Sequence, residues 1–288
     1  MAFARTQAED EGWSLVLTPH RGWFDLRLRQ LWRYRDLVLL FVRRDFVAVY
    51  KQTILGPLWY LIQPLLTTIT FTVVFGRIAK LSTDGLPQFL FYMSGTVIWS
   101  YFASCLTGTS STFIANANVF GKVYFPRLAV PVSVLISKLI AFGIQFALFL
   151  IFVVYFRVRG ADVHPNACAL LTPLLLLLMA GLGLGFGIIV SALTTRYRDL
   201  AQLVAFGVQL LMYATPVIYP VSSLPQKYQM LILANPITPV IETFRYAYLG
   251  AGTPIVGDLL YSTVFIFVVL AIGVLLFTRV ERTFMDTV

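Results

Sequence analysis

The chemistry this sequence offers lies in four rows of polar and aromatic side chains. At about 100° per residue along a helix, Phe89, Tyr92, Met93, Thr96, Ser100, Ser104, Thr107 and Ser111 share one face. Gln52, Gly56, Trp59, Tyr60, Gln63, Thr67 and Thr70 share a second face. Lys138, Phe142, Gln145, Phe149, Phe152 and Phe156 form a third row, and Gln202, Phe206, Gln209 and Tyr213 a fourth. Each row mixes hydrogen-bonding groups with rings. Hydrocarbon cannot satisfy an amide or a hydroxyl, so in a membrane such rows turn inward. One use is glue between neighbouring helices, because Ser, Thr and Gln bond across them. The other is a conduit for an amphipathic solute such as a sugar. Hydroxyls take up its polar edge, and rings its apolar face. If it is a conduit, the rows line a surface shared by two protomers. Lys138 stands about two turns inside its segment. Either it snorkels to the interface or it meets an anionic head group.

Other chemistries lack their residues. No GxxxxGK[ST] stretch occurs; the single Gly-Lys pair, Gly121-Lys122, is followed by Val123. The chain therefore has no phosphate-cradling loop for ATP of its own. His20 and His164 are far apart, and Cys105 and Cys168 sit in apolar runs. Neither pair makes a metal spacing or a disulfide framework, so no metal and no cofactor is expected in this chain. No intramembrane Asp or Glu series suggests a proton relay. Work against a gradient would then draw its energy from another chain through a loop, and residues 116–126 (NANVFGKVYFP) are the candidate.

These rows need elements to hold them. Charged residues make up 12% of the chain, against roughly 25% in soluble domains. The sequence reads as an all-α integral membrane protein, a single transmembrane domain over residues 1–288. A bilayer core needs roughly 20 apolar residues per helix. Six segments qualify, at about 53–75, 89–113, 132–156, 167–194, 200–219 and 259–278. Counting Lys and Arg by side gives fifteen on the side of the termini and six opposite. That asymmetry predicts cytoplasmic N- and C-termini. It also accounts for the net charge of +9 without a nucleic-acid partner, because the basic residues sit at membrane edges. Residues 26–51 mix Arg with Leu, Trp, Phe and Val, the composition of an amphipathic helix lying in the headgroup plane. Residues 220–258 carry two short helical pieces, 226–234 and 240–248, broken by Pro236 and Pro239. They are expected to dip back from the outer side as re-entrant half-helices. Gly181, Gly183, Gly185 and Gly187 form two small-xxx-small pairs, which predict close helix packing.

Several stretches resemble the membrane subunit of type-2 ABC transporters, and within them the polysaccharide (O-antigen) exporters, with teichoic-acid and capsule exporters close by. They are RRDFVAVYKQTILGPLWYLIQPLL (43–66), FGKVYFPRLAVPVSVLISKL (120–139), RYRDL (196–200), YATPVIYPVSSLP (213–225) and LANPITPVIETFR (233–245). The resemblance covers about residues 30–280 and implies a homodimeric permease with two copies of a separate ABC ATPase. ATP and Mg would lie on that partner. The substrate would be an undecaprenyl-pyrophosphate-linked glycan, moved across the bacterial inner membrane through a tunnel between the two permease copies. On this sequence, residues 26–51 then look like a gate helix, with Arg43, Arg44 and Lys51 as candidates for the pyrophosphate. Residues 116–126 look like a coupling helix, with Asn118, Val119, Phe120, Lys122 and Phe125 meeting the ATPase. The substrate path would draw on Trp59, Tyr60, Tyr92, Trp99, Tyr101 and Phe102, joined by Gln63, Ser100 and Ser104 from the polar rows. The half-helices look like an outer gate. Two other readings compete: a small-lipid or drug exporter of the same superfamily, and a passive channel or membrane anchor with no ATPase partner.

Overall fold

The computed structural model describes residues 28–51, 54–116, 125–194, 199–252 and 256–284. Every regular element among them is helical. The chain enters through α1 (Leu28–Arg33) and α2 (Arg35–Tyr50). A short 3-10 turn, Gly56–Leu58, leads into α3 (Trp59–Phe71), which widens into a π-helical segment, Thr72–Ile78. Next come α4 (Gln88–Ser110), the one-turn α5 (Thr112–Ala115) and α6 (Ala129–Val158). A 3-10 turn, Ala167–Leu171, opens α7 (Thr172–Thr194), followed by α8 (Leu200–Tyr213). Then α9 (Gln226–Leu233) and α10 (Thr238–Leu249) precede the long α11 (Val256–Phe284).

Five stretches are long and apolar enough to cross a bilayer: Gly56–Ile78, Gln88–Ser110, Ala129–Val158, Ala167–Thr194 and Val256–Phe277. They coincide with the first four and the last of the six expected segments. The expected fifth is represented by α8, whose 14 residues rise only about 21 Å, short of a core of about 30 Å. The polypeptide leaves helical geometry at Ala214, two residues before Pro216.

α4 is the hub. It is buried for most of its length between α7, α6, α3 and α10. The glycines of α7 explain how closely that helix sits between two neighbours. A Cβ placed on Gly183 would stand 3.1 Å from the Leu106 backbone nitrogen of α4, and one on Gly187 would stand 3.1 Å from the Leu106 carbonyl. On the other flank, Gly185 faces Leu270 of α11, and a Cβ on Gly273 would meet the Gly185 carbonyl at 2.7 Å. The two small-residue pairs expected from the sequence thus serve two different neighbours. Backbone approach of this kind replaces the hydrophobic drive that is missing between helices in lipid. Outward, α6, α7 and α11 expose Ile151, Val154, Leu174, Leu177, Val264 and Phe267. On a soluble protein this would be a liability; facing acyl chains it is the expected surface.

Candidate functional site

The structure divides the four rows. On α4, Tyr92, Trp99, Tyr101 and Phe102 are buried within the protomer. Tyr92 packs edge-on against Phe71, Trp99 against Phe102, and Tyr101 against Phe142. The hydroxyls beside them bond within the chain: Thr96 to Thr68 of α3 at 3.3 Å, and Ser100 to the Gln145 amide oxygen of α6 at 2.8 Å. The row on α6 is also taken up inside, where Phe142, Phe146 and Phe149 join Phe244 and Tyr248 of α10 in one aromatic cluster. For these two helices the glue reading accounts for most of the row. The expectation that every row lines a shared surface is corrected here, because large rings on tightly packed helices fill the space between them before they reach any outer face.

The other two rows face out. Trp59 is 46% exposed, Gln63 is exposed and Tyr60 is half-buried. On α8, Gln202 and Gln209 are exposed together with Phe206, at 60%, and Tyr213, at 49%. Both helices lean on α4 and leave these residues of their rows exposed or half-buried on the outside. Ser104 lies half-buried on the open margin of α4, next to exposed Thr107 and Ser111.

The cations on α2 also split. The helix lays Val38, Phe41 and Val42 into a core with Ala129 and Val130 of α6. The opposite face carries exposed Arg43. Arg44 is paired with Asp45 at 2.8 Å, bonded to the Asn116 side chain at 3.3 Å and stacked over Phe41 at 4.9 Å. Lys51 is exposed at the helix end. Of the residues expected to meet an ATPase, Asn118, Val119, Phe120 and Lys122 lie outside the described residues. Phe125 is buried, its ring 5.8 Å from that of Phe41. It therefore ties the loop between α4 and α6 to α2.

The best-built polar cluster escaped the sequence reading. Arg245 of α10 is only 2% exposed. It donates to Glu242 at 2.8 Å and to the Pro216 carbonyl at 2.9 Å, and its guanidinium lies 3.9 Å over the Phe91 ring. Its Nε has no partner among the described residues. Burial pushes the Glu242 carboxyl above its ordinary value against the pull of Arg245, and lowers Arg245 against the pull of Glu242 and Asp84. Asp84, at a positive φ of 51°, accepts from Ser222 at 2.8 Å. These contacts fasten the α9–α10 hairpin and the turn before it to the α3–α4 loop and α4. The legible signal was an acid and an arginine three apart on one face of a mostly apolar helix.

A bundle of long apolar helices with two outward polar–aromatic rows, a buried hub and a hairpin clamped at one end has the make-up of a multi-span membrane protein. The chain belongs to the ABC-2 type transporter family, which it matches over residues 36–249, and is accordingly a membrane transport subunit. It is similar to the O-antigen export system permease protein RfbA of Klebsiella pneumoniae, 27% identical over 254 residues, spanning 87% of this chain and 94% of that one. The polysialic acid transport protein KpsM of Escherichia coli is 22% identical over 240 residues, 81% of this chain and 89% of its own length. The capsule polysaccharide export inner-membrane protein CtrC of Neisseria meningitidis is 22% identical over 247 residues, covering 83% and 89%.

Proposed function

We propose that this chain is the permease subunit of an ATP-driven exporter that moves an undecaprenyl-pyrophosphate-linked polysaccharide of O-antigen type across the bacterial inner membrane. Two copies of the chain join with two copies of a separate ABC ATPase, and the glycan passes between the permease copies. The observation that carries this reading is the outward row of α8, Gln202, Phe206, Gln209 and Tyr213, together with Trp59 and Gln63 of α3. Acyl chains would leave those amides unsatisfied at several kcal/mol each. A second copy and a hydrated sugar satisfy them, and the rings supply flat surface to the sugar C–H faces.

In this reading Trp59, Tyr60, Gln63 and Ser104 line the path. The fifth crossing is completed by α8 with the turn after it, giving six spans and cytoplasmic termini. α2 is a gate helix at the cytoplasmic interface. Arg43, Arg44 and Lys51 receive the pyrophosphate through charge-assisted bonds, with Arg43 and Lys51 exposed and Arg44 engaged by Asp45 and Asn116. Phe125, wedged on Phe41, passes movement of the ATPase-facing loop to α2. The re-entrant hairpin, α9–α10, closes the outer end. The names of KpsM and CtrC keep a capsule glycan as the second reading.

The test is deletion of the gene in its bacterium, followed by complementation. Full-length lipid-linked glycan should accumulate on the cytoplasmic face while surface glycan disappears. The wild-type gene should restore export. Normal surface glycan in the deletion strain would overturn the reading.

A further inference from the structure

We propose that Lys138 of α6 and the hydroxyl margin of α4 form a binding site for the phosphate-bearing end of a lipid. Counted along the sequence, Lys138 falls about two turns inside its span. In the structure it is the tenth residue of α6. Its Cε stands 3.5 Å from the position a Cβ would take on Gly108, two residues before α4 ends at Ser110. Because α6 has 30 residues, it rises about 45 Å and overshoots a core of about 30 Å. The lysine stem is level with the last turn of α4, at one end of the bundle. It shares that end with α2, since the Arg44 side chain reaches Asn116 just past α5.

The surroundings suit a phosphate monoester or diester. Lys138 has neither a hydrogen bond nor an ion pair among the described residues, and it is half-buried along the α4–α6 seam. Gly108 lets α6 come close at this point: a Cβ there would stand 2.7 Å from the Val134 side chain and 3.5 Å from the lysine stem. On the same margin stand Ser104, Thr107 and Ser111, spaced three and four apart so that they share a face. The Ser104 hydroxyl has no hydrogen-bond partner among the described residues. Thr107 donates to the Ala103 carbonyl at 2.8 Å and Ser111 to the Gly108 carbonyl at 3.1 Å. Both are exposed, so their hydroxyls can turn to an anion without abandoning a buried acceptor. One turn deeper the seam is sealed by the Ser100–Gln145 bond. A head group thus has a floor, an ammonium on one wall and hydroxyls on the other, with lipid beside it for the tail. The phosphate can come from a bulk inner-leaflet phospholipid or from a polyprenyl carrier. The second source rests on the export reading above, and the first does not.

The full chain, purified in a neutral detergent, is titrated with phosphatidylglycerol, with undecaprenyl pyrophosphate and with phosphatidylcholine as the control, and bound lipid is counted by native mass spectrometry. Lys138→Gln should weaken at least one anionic probe about tenfold, the scale of one charge-assisted bond. Lys138→Arg should restore it, and Ser104→Ala should weaken it less. The glutamine variant removes a charge from a membrane helix, so insertion is eased rather than endangered. A deficit confined to phosphatidylglycerol identifies a bulk-lipid site. One confined to the pyrophosphate identifies a carrier site. Binding of both probes by Lys138→Gln as by wild type, or wild-type binding no better than to phosphatidylcholine, overturns the proposal. Binding is read without transport, so a failed export reading leaves the phospholipid arm standing.

Discussion

Helices α4 and α8 carry the same kinds of side chain and use them in opposite ways. Along most of α4 the hydroxyls and rings turn into the protomer, where Thr96 finds Thr68, Ser100 finds Gln145, and Tyr101 packs on Phe142. On α8 the glutamines and the rings of Phe206 and Tyr213 stay exposed. The difference follows from neighbours. α4 is enclosed by other helices for most of its length, whereas α8 touches α7 and α4 along one side. A polar row in a membrane helix is therefore ambiguous until its surroundings are known: it is mortar where partners surround it and working surface where they do not. The two arginine environments repeat the lesson. Arg245 is walled in by Glu242, Phe91 and Pro216, while Arg43 stands in the open.

If inward positions hold the fold and outward positions serve transport, substitutions should sort accordingly. Arg245→Ala strips a buried acid of its partner and should cost about 3–5 kcal/mol. It should appear as loss of the folded protein from detergent extracts by fluorescence-detected size exclusion. Gly185→Leu forces α7 away from the α11 backbone and should cost about 1–3 kcal/mol, read as a lowered midpoint of thermal unfolding. Ser100→Ala removes one interhelical bond within the membrane, worth about 0.6 kcal/mol, and should lower the same midpoint only slightly. Trp59→Ala, on the outer face, should change stability by about 0.5 kcal/mol or less and yet reduce surface glycan severalfold while ATP hydrolysis by the assembled transporter continues. A Trp59→Ala strain with normal surface glycan would break the comparison on its transport side. An Arg245→Ala protein as stable as wild type would break it on the other.

Much of the fold was legible in advance. The long apolar runs and scarce charges marked five of the spans to within about three residues, because a hydrocarbon core sets a minimum length for any crossing helix. The alternating glycines of α7 marked close packing, and the structure adds that the two pairs face opposite sides, toward α4 and α11. The fifth segment read as one continuous helix because the apolar run continues through Pro216, whereas α8 itself ends at Tyr213. The candidate site was less legible. Helical periodicity grouped Tyr92 with Ser104 on one face, yet it carries no information about what stands opposite that face: Tyr92 is buried and Ser104 lies on the open margin. Trp99 and Tyr101 were included for their rings alone, and both are occupied inside the protomer.

What the sequence determined by itself is the solvent and the spacing: lipid around a bundle of helices, the residues that share each face, and the cations gathered at the ends of the spans. Those follow from composition and from the fixed rotation of a helix, which are local properties of the chain. Only the tertiary structure decided which polar rows were consumed internally, that Arg245 is sealed between the hairpin and α4, and that Lys138 stands beside Gly108 in the last turn of α4. Those outcomes depend on which helix lies against which and at what height, and such long-range contacts are written into no single segment.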